Sequence, residues 1–491
     1  MLTRLFLLLL TAVLLHAQPF TAPFFVRNAA STTGVNVAPG SLIAIQPRAA
    51  ELQPMIGVTA ELRVGTGAVR PLPLFTPPAG ARYTWAVIPK DLPATDELIV
   101  TLIRDGVRYS ATISTQRSAP GLFTANYAGT GPALAISYGG PTPARNALTS
   151  AAVPDRFVSL YATGLNDALA ADVTIDVAGQ TAPAVFAGPQ GTPGMDQINF
   201  VVPKEAYLGC YVPVTIRVRG VASNAATLSI NSDSFACAHP LGLSYADMRS
   251  LDTGVNVPSV NFYISAWRTD DQPLSERATL WPFSANASVM AALAGTQMPD
   301  SVYLSCAPPP IGYYDYISGF GPPMIATDPI TLVGPNARHV VMDRSPSTVT
   351  PTDPLPFYTP GEWHLRADDG DLFFPFDQAF TLPPPISNFN IAPHSVLSSE
   401  KELEVTWNPA GFGPNDLVVV SLPSGASCTT RAWTGRVTLP KPIRSLESTV
   451  AISVIPHWAG RPQFNMLRRD GRVVRAVVNY TFIQTVNVTV E

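Results

Sequence analysis

The chain has 491 residues, of which 13% are charged, and a formal net charge of −4, so it lacks the basic field that nucleic acids or anionic membranes attract. That length exceeds what one hydrophobic core usually serves and predicts three to five domains. The 46% apolar content excludes a disordered chain, while 50 prolines and 34 glycines between short apolar runs favour an all-β fold rich in turns.

The pattern of residues 1–17 predicts a secretory signal peptide. Arg4 gives a positive start, the stretch from Leu5 to Leu15 is apolar, and Ala17 fits a cleavage site before Gln18. The apolar stretch is too short to cross about 30 Å of hydrocarbon, and no later segment has a run of roughly 18 apolar residues. We therefore expect a secreted or cell-envelope protein, extracellular or periplasmic, with no membrane span after removal of the signal.

Residues 18–117 and 118–240 carry the same pattern twice. Ile88-Pro89-Lys90 returns as Val202-Pro203-Lys204, and short apolar runs alternate with turn residues in both copies. Gly106 and Gly220 fall at the same point between two such runs, where a glycine suits a tight hairpin turn. The size and rhythm of each copy predict two tandem immunoglobulin-like β-sandwiches, one at 18–117 and one at 118–240.

The second copy also contains a set of distinctive short segments. They lie at 119–124, at 158–165, at 182–188, at Gln197-Ile198-Asn199 with Val202-Pro203, and at 221–224. Together they resemble a large uncharacterised group of secreted acidobacterial proteins. The resemblance implies a β-sandwich similar to the IPT/TIG branch of immunoglobulin-like folds, and it brings no known activity with it. The first copy departs from the pattern where Thr84-Trp85-Ala86 replaces Gln-Ile-Asn.

Four cysteines follow the signal segment, and an even number in an exported chain favours disulfides. Cys210 and Cys237 flank one predicted hairpin region, so we predict that they pair. Closing a loop of roughly 28 residues would stabilise the fold by about 3 kcal/mol. For Cys306 and Cys428 two states stay open, a disulfide across domains or two buried thiols.

The sequence pattern predicts two further β-rich modules, at 241–385 and 386–491. A proline-rich break, Leu382-Pro383-Pro384-Pro385, separates them. The run from Leu403 to Trp407 alternates apolar and polar residues, which places Trp407 on the core face of a sandwich. The predicted fold class is therefore all-β, with tandem immunoglobulin-like β-sandwiches followed by two further β-rich modules.

The sequence offers no motif typical of nucleophilic catalysis, zinc binding or nucleotide binding. The mature histidines are scattered, at His239, His339, His364, His394 and His457. A glycosidase needs only two facing carboxylates, but Asp270-Asp271 shows no partner acid. We expect no catalytic residue, no cofactor and no enzyme activity. A carbohydrate-active or other hydrolytic enzyme, with its site in residues 241–385, is the alternative.

Asp368, Asp369 and Asp371 surround Gly370 and form the one candidate calcium loop, because carboxylates are ligands that Ca²⁺ prefers. The cluster lacks the further spaced acids and the closing glutamate of an EF-hand. Asp and Gly also favour ordinary β-turns, which is the simpler interpretation. We therefore expect a surface turn and no metal site.

Several aromatic residues are candidates for stacking on sugar rings. Tyr313, Tyr314 and Tyr316 form the densest group, and Trp433 and Trp458 lie in turn-rich surroundings. Aromatic residues also fill sandwich cores and cap their ends, and that alternative applies to all five.

Together these patterns favour an exported, non-catalytic protein for surface display, adhesion or ligand binding, with an extracellular glycan or protein as its partner. Sandwiches in series hold their loops apart on stiff supports, which suits binding more than chemistry. A structural spacer in an envelope assembly is a further alternative. The duplicated positions repeat no histidine, acid pair or metal-ligand set, so we expect any specific function to lie outside them.

Overall fold

The structure is a computed structural model, and its strands dominate the part of the chain that it describes. That part comprises residues 22–32, 37–78, 83–94, 97–270, 272–285, 290, 306, 330–335, 338–342, 359–368, 370–371, 373–422, 427–439, 445–456 and 461–491. The predicted signal peptide lies outside the described residues. Within them, no helix is both long enough and apolar enough to cross a bilayer.

The first sandwich is built from seven strands. They are β1 Phe24–Asn28, β2 Leu42–Pro47, β3 Thr59–Val64, β4 Arg70–Pro71, β5 Thr84–Val87, β6 Leu98–Arg104 and β7 Val107–Ile113. One sheet has the order β1-β2-β5 and the other β4-β3-β6-β7. Alternate side chains of the two sheets, among them Ile43, Leu62 and Val100, face each other in one core. A 3-10 turn at Ala50–Leu52 follows β2.

The second sandwich is built from ten strands. They are β8 Gly121–Leu122, β9 Ala135–Ser137, β10 Ala144–Arg145, β11 Phe157–Thr163, β12 Val173–Val177, β13 Gln180–Pro189, β14 Asp196–Val201, β15 Gly209–Val218, β16 Val221–Ala222 and β17 Ala226–Ile230. Their order is β10-β9-β11-β14-β13-β12-β15-β16, with β17 on β15 and β8 on β11. Strand β13 bridges two layers, because its first half pairs with β12 and its second half with β14. A 3-10 turn at Ala170–Asp172 precedes β12.

Each copy has a hairpin with the same turn conformation at the corresponding position. Asp105 and Gly106 have φ of 51° and 80°, and Arg219 and Gly220 have φ of 50° and 84°. Two successive residues with positive φ are the requirement of a type I′ turn, whose twist matches that of the strands it joins. The turns predicted at Gly106 and Gly220 are thus confirmed, as is the fold class with its tandem sandwiches.

The two sandwiches meet in a closely packed joint. Trp85 of the first sandwich is 4% exposed and packs against Phe123 and Tyr127, with ring centroids 5.9 and 5.6 Å away. Gly129 approaches the backbone of Ser31 so closely that a Cβ there would overlap it. Aromatic contacts and glycine at the point of closest approach fix the relative orientation of the two sandwiches.

The remaining described residues form one helix and fourteen strands. These are α1 Tyr245–Asp252, then β18 Val257–Thr269, β19 Ser275–Ala285, β20 Ile330–Gly334, β21 Arg338–Met342, β22 Gly361–Ala367, β23 Phe376–Leu382, β24 Ser395–Leu397, β25 Leu403–Thr406, β26 Asp416–Ser421, β27 Ser427–Arg431, β28 Arg436–Leu439, β29 Ser445–Pro456, β30 Gln463–Leu467 and β31 Val473–Val490. Among these fourteen strands the largest sheet has the order β19-β18-β31-β29-β26-β27, with β24 and β30 also on β31. Two smaller sheets have the orders β21-β20-β22-β23 and β25-β28. A 3-10 turn spans Ala432–Thr434.

One sheet and one core cross the boundary predicted at 385/386. Strand β18 pairs in parallel with β31, in a register from Ser259 opposite Arg475 to Thr269 opposite Thr485. Their shared core includes Phe262 from one side of the boundary and Trp407 from the other. The buried position of Trp407, 4% exposed, agrees with its predicted place on a core face. The division at 385 itself stays a prediction.

Helix α1 joins the second sandwich to β31, because Met248 and Leu251 lie in one buried cluster with Tyr211 and Val477. Ser244 and Asp247 form a capping box that starts the helix, since each side chain pairs with the backbone N–H of the other. At the other end, the Asp252 carboxylate accepts hydrogen bonds from the backbone N–H groups of Leu148 and Thr149, both 2.9 Å away. The Thr149 hydroxyl donates a third, at 2.7 Å. A charged acceptor with three donors makes this a strong contact between the two parts.

All four cysteines of the chain are paired. Cys210 bonds to Cys237, as the hairpin spacing predicted, and Cys306 bonds to Cys428, which resolves the open alternative in favour of a disulfide. The second crosslink joins residues 122 positions apart.

Replacing both Cys210 and Cys237 with alanine is expected to lower the free energy of unfolding by about 3 kcal/mol, because the unfolded chain loses a crosslink between residues 27 positions apart. Urea unfolding followed by circular dichroism measures the change. Wild-type protein with both disulfides intact provides the comparison. An unfolding transition that is identical in the variant and the wild type would contradict the expectation.

Candidate functional site

Most of the predicted aromatic site residues lie outside the described residues, namely Tyr313, Tyr314, Tyr316 and Trp458. Trp433 is described and is 55% exposed on the 3-10 turn Ala432–Thr434. An indole this exposed is available for stacking, but the described residues do not bring it together with another predicted aromatic. Sugar stacking at these five positions stays a prediction.

The candidate calcium loop is only partly described. Asp368 and Asp371 are exposed, and Asp369 lies outside the described residues. Arg469 donates a hydrogen bond from Nε to the carbonyl oxygen of Gly370, at 3.0 Å. A guanidinium so close to the loop opposes a cation there. Where the chain is described, no group of three or more His, Cys, Asp or Glu residues could hold a metal ion.

Asp270 has a structural partner. Its carboxylate accepts hydrogen bonds from the Asn487 backbone N–H at 2.9 Å and from Asn487 Nδ2 at 2.6 Å. These bonds join the end of β18 to β31, so the contacts of Asp270 are those of a residue that holds two strands together.

A polar cluster lies on the exposed face of β22 and β23. His364 Nδ1 is 2.6 Å from Asp377 Oδ1, and His364 Nε2 is 3.3 Å from Glu362 Oε1. The two carboxylates raise the pKa of His364, Asp377 more strongly than Glu362. Because both ring nitrogens already contact an acid, neither is free to take a proton from a nucleophile. This arrangement offers no support for hydrolysis in residues 241–385.

The most distinctive surface of the described chain is the outer face of the sheet β10-β9-β11-β14-β13 in the second sandwich, hereafter the amide face. In β11, Val158 and Leu160 point into the core, while Phe157, Ser159 and Tyr161 point outward. In β14, Ile198 and Phe200 point inward, and the outward residues are Gln197, Asn199 and Val201. The register places Ser159 opposite Asn199 and Tyr161 opposite Gln197.

Aromatic rings flank the amide face on both sides. Tyr138, just after β9, is 41% exposed, and Phe157 beside it is 49% exposed. On the other side, a β-bulge in β13 between Ala184 and Phe186 places Phe186 opposite Asn199, where it is 42% exposed. Without the extra residue, the alternation of β13 would turn Phe186 to the other face. The bulge therefore completes the aromatic border.

A small hydrogen-bond network lies between the rings. The Ser159 hydroxyl donates to Asn199 Oδ1 at 2.7 Å, and Gln197 Nε2 donates to the same oxygen at 2.8 Å. Both bonds fix Asn199 through its oxygen. They leave the Asn199 Nδ2 donor and the Gln197 Oε1 acceptor without a hydrogen-bond partner among the described residues. The face thus presents one donor and one acceptor side by side.

The amide face carries little charge. The residues of β11 and β14 on this face are uncharged: Phe157, Ser159 and Tyr161 on β11, and Gln197, Asn199 and Val201 on β14. Ser159 itself is buried, and Thr163 at the end of β11 belongs to the joint, where its hydroxyl accepts a hydrogen bond from the Leu42 backbone N–H. The exposed Arg145, at the margin on the edge strand β10, lies opposite Ile136 of β9. A surface of rings and amides with no carboxylate in its centre fits an uncharged ligand.

The equivalent face of the first sandwich is closed. The structure shifts the triplet comparison by one residue: with Ile88 matched to Val202 and the core residue Ala86 to Phe200, Trp85 corresponds to Asn199 and not to Ile198. Trp85 lies buried in the joint together with Leu42, Phe123 and Met195. The two copies therefore use the same sheet face differently. In the first copy it docks the second sandwich, and in the second copy its rings and amides stay accessible.

The spacing of polar residues in β11 and β14 indicates a shared surface, although no site was predicted there from the sequence. Ser159 and Tyr161, like Gln197 and Asn199, are two positions apart, which places each pair on one face of a strand. These residues belong to the distinctive short segments of the second copy. Which face would be open could not be seen, because it depends on how the first sandwich packs.

Two of the buried titratable groups are Asp196, at the joint between the sandwiches, and His239, beside Tyr211. Burial raises the pKa of Asp196 to about 6, against smaller opposing effects of the Leu165 backbone N–H, 3.3 Å away, and of Lys90. Asp196 begins β14 at the joint between the sandwiches. Burial lowers the pKa of His239 to about 3, and the positive charge of Arg475 acts in the same direction.

His239 is held neutral by its contacts. Its Nδ1 accepts a hydrogen bond from the Leu241 backbone N–H at 3.1 Å, and its Nε2 is 2.8 Å from the Tyr211 hydroxyl. This arrangement fixes the tautomer with the proton on Nε2. His239 thus serves packing near Arg475 and not proton transfer.

No protein-family model matches the chain, and no curated protein matches it. Among solved structures, SGBP-B of the Bacteroides ovatus mixed-linkage glucan utilization locus, in complex with a mixed-linkage heptasaccharide, is 10% identical over 79% of this chain and 77% of that chain, with a TM-score of 0.15. The chicken CNTN1 FN1–FN3 domains are 10% identical over 68% and 99%, also at 0.15. Invasin, a bacterial integrin-binding protein, is 11% identical over 88% and 76%, again at 0.15. Scores of this size relate the chain to no particular protein.

Proposed function

We propose that this chain is an exported, non-catalytic binding protein that holds an uncharged glycan on the amide face of its second sandwich. The observation that carries the proposal is the unpartnered donor and acceptor of Asn199 and Gln197 between exposed aromatic rings. Sugar hydroxyls both donate and accept hydrogen bonds, and the apolar faces of sugar rings pack on aromatic side chains.

Charge argues for a neutral ligand. The net charge of −4 gives no long-range attraction for nucleic acid or for other polyanions. The central strands of the face add no charge of either sign. Recognition would then depend on stacking and on uncharged hydrogen bonds.

Export is supported by the two disulfides, because such bonds persist in oxidising compartments and are rare in the cytosol. The apolar segment after Arg4 supports it as well. A place on the cell surface or in the periplasm gives a glycan-binding face access to extracellular polysaccharide.

One observation favours a second candidate, adhesion to a protein. The first copy already uses the equivalent sheet face to bind the end of another sandwich through Trp85 and Leu42. The second copy replaces Trp85 with a polar amide at the aligned position, which removes the apolar anchor that such an interface needs. The glycan therefore remains the favoured ligand.

Affinity gel electrophoresis of the mature protein through a panel of neutral polysaccharides (cellulose derivatives, mixed-linkage glucan, xylan and mannan) tests the proposal. We expect retardation by at least one member and about tenfold weaker binding, a loss of about 1.4 kcal/mol, in Asn199→Ala and in Phe186→Ala. Phe374→Ala is the matched control, since Phe374 is 39% exposed and lies in the C-terminal part, where its backbone N–H donates to the Leu467 carbonyl oxygen. Equal mobility of all proteins in every gel would refute glycan binding.

A further inference from the structure

We propose, building on the proposed function, that the amide face binds an internal stretch of a linear neutral polysaccharide, which runs across the strands from β9 to β13. Three observations on the second sandwich give this direction: the position of the joint, the openness of both margins and the diagonal placement of the rings.

The joint blocks the path along the strands. At the end of β11 and β14 nearest the first sandwich, Tyr161 packs against the buried cluster that includes Trp85 and Met195. Gly194 lies close to Leu42, and a Cβ on it would come within 3.1 Å of the Leu42 backbone nitrogen. A chain aligned with the strands would meet the first sandwich there, so it has to cross them.

The margins across the strands carry exposed rings. On the β9 side, Tyr138 and Phe157 are about half exposed, and on the β13 side Phe186 and Val185 are 42% and 58% exposed. A ligand can therefore lie on rings at both margins and continue past them. Such a surface selects the interior of a polymer chain.

The rings are offset along the strands. Tyr138 lies level with Phe157, whereas Phe186 lies opposite Asn199, two residues further along. With strands about 4.8 Å apart and about 3.3 Å per residue, Tyr138 and Phe186 are separated by roughly 16 Å. This distance fits about three sugar rings in an extended chain. By the same spacings Asn199 lies about 5 Å from Phe186 and about 12 Å from Tyr138, so its amide lies beneath the part of the chain nearer β13.

The bulge in β13 acts as the specificity-determining element of this path. Because Val185 is the extra residue, the phenyl ring of Phe186 and not the smaller Val185 side chain lies beside Asn199. The outer sugar then meets an aromatic surface at the β13 margin, comparable to the one that Tyr138 and Phe157 provide at the β9 margin.

Calorimetric titration with cello-, xylo- and manno-oligosaccharides of one to six residues tests the path. We expect affinity to rise steeply up to about three residues and then to level off. With the hexasaccharide, Tyr138→Ala and Phe186→Ala should each weaken binding about tenfold. With the disaccharide, which cannot reach both rings, at most one of them should matter. Reducing the terminal aldehyde of the hexasaccharide to an alditol should leave affinity unchanged, since chain ends do not contribute.

The outcomes separate the two proposals. If oligosaccharides bind, but only one of Tyr138→Ala and Phe186→Ala weakens the hexasaccharide, or the alditol fails to bind, the path across the strands is wrong while glycan binding stands. If no oligosaccharide binds and no polysaccharide retards the protein, the proposed function fails as a whole. Phe374→Ala again provides the matched control, and unchanged thermal unfolding of each variant shows that the exposed substitutions leave the fold intact.

Discussion

Replacing Gly164 with alanine is expected to lower the free energy of unfolding of the second sandwich by about 3 kcal/mol or more, and replacing Gly220 with alanine by about 1 kcal/mol. Both glycines have φ of +84°, a conformation that is strained for any residue with a side chain. They differ in their surroundings. A Cβ at Gly164 would overlap the carbonyl group of Ala119, whereas nothing lies within 4 Å of one at Gly220.

The steric overlap at Gly164 also disturbs the joint between the two sandwiches. The Ala119 carbonyl oxygen accepts a hydrogen bond from Asn28 Nδ2 of the first sandwich, at 2.8 Å. Pushing this carbonyl away breaks that bond and leaves the amide of Asn28, which is buried, without its partner. The loss therefore adds to the steric overlap and loosens the contact between the sandwiches.

Urea unfolding followed by circular dichroism and by tryptophan fluorescence measures the effect. Trp85, which lies in the joint, is the one of the seven tryptophans that belongs to the two sandwiches. Small-angle scattering of the two variants gives the relative orientation of the sandwiches, which we expect to change only in Gly164→Ala. Equal destabilisation by the two substitutions would mean that the backbone conformation alone explains both, and that the close approach to Ala119 contributes nothing.

The features that depend on residues close together in the chain were predicted from the sequence. Alternation placed Trp407 on a core face, and the aligned positions of Gly106 and Gly220 predicted turns whose φ values the structure confirms. The pairing of Cys210 with Cys237 followed from the hairpin between them. In each case the relevant partners are within about thirty residues, where loop closure leaves few alternatives.

Long-range pairing was not predictable in the same way. Strands β18 and β31 lie side by side over an eleven-residue register, although more than two hundred positions separate Ser259 from Arg475. Both strands are apolar, and many other apolar strands of this chain would satisfy the same pattern. The openness of the amide face is equally non-local, since it follows from which sandwich covers which sheet.

A second large effect is expected under acidic conditions. Between pH 6.5 and about 3, we expect wild-type protein to lose stability through His239 at up to about 1.4 kcal/mol per pH unit. The pKa of His239 is lowered by burial to about 3 in the folded protein, while the unfolded chain keeps the ordinary value of 6.5. In this interval the unfolded state binds a proton that the folded state excludes, so falling pH favours unfolding. Above pH 6.5 both states are neutral at this residue, and its contribution no longer depends on pH.

Asp196 acts in the opposite direction over part of the same interval. Its pKa is raised by burial to about 6 in the folded protein, from the ordinary value of 3.8. Between pH 3.8 and 6 the folded state therefore holds a proton that the unfolded state has released, and falling pH favours folding at this site. The two groups partly cancel in the wild type, so the single variants are more informative than the parent.

Urea unfolding of the wild type, His239→Asn and Asp196→Asn at pH 7, 5 and 4 separates the two contributions. Asparagine at 239 keeps an acceptor for the Leu241 N–H but cannot be protonated, so we expect this variant to lose less stability than the wild type between pH 6.5 and 4. Asp196→Asn removes the compensating group and is expected to lose more. If the pH dependence of His239→Asn equals that of the wild type, the buried imidazole near Arg475 does not control acid stability.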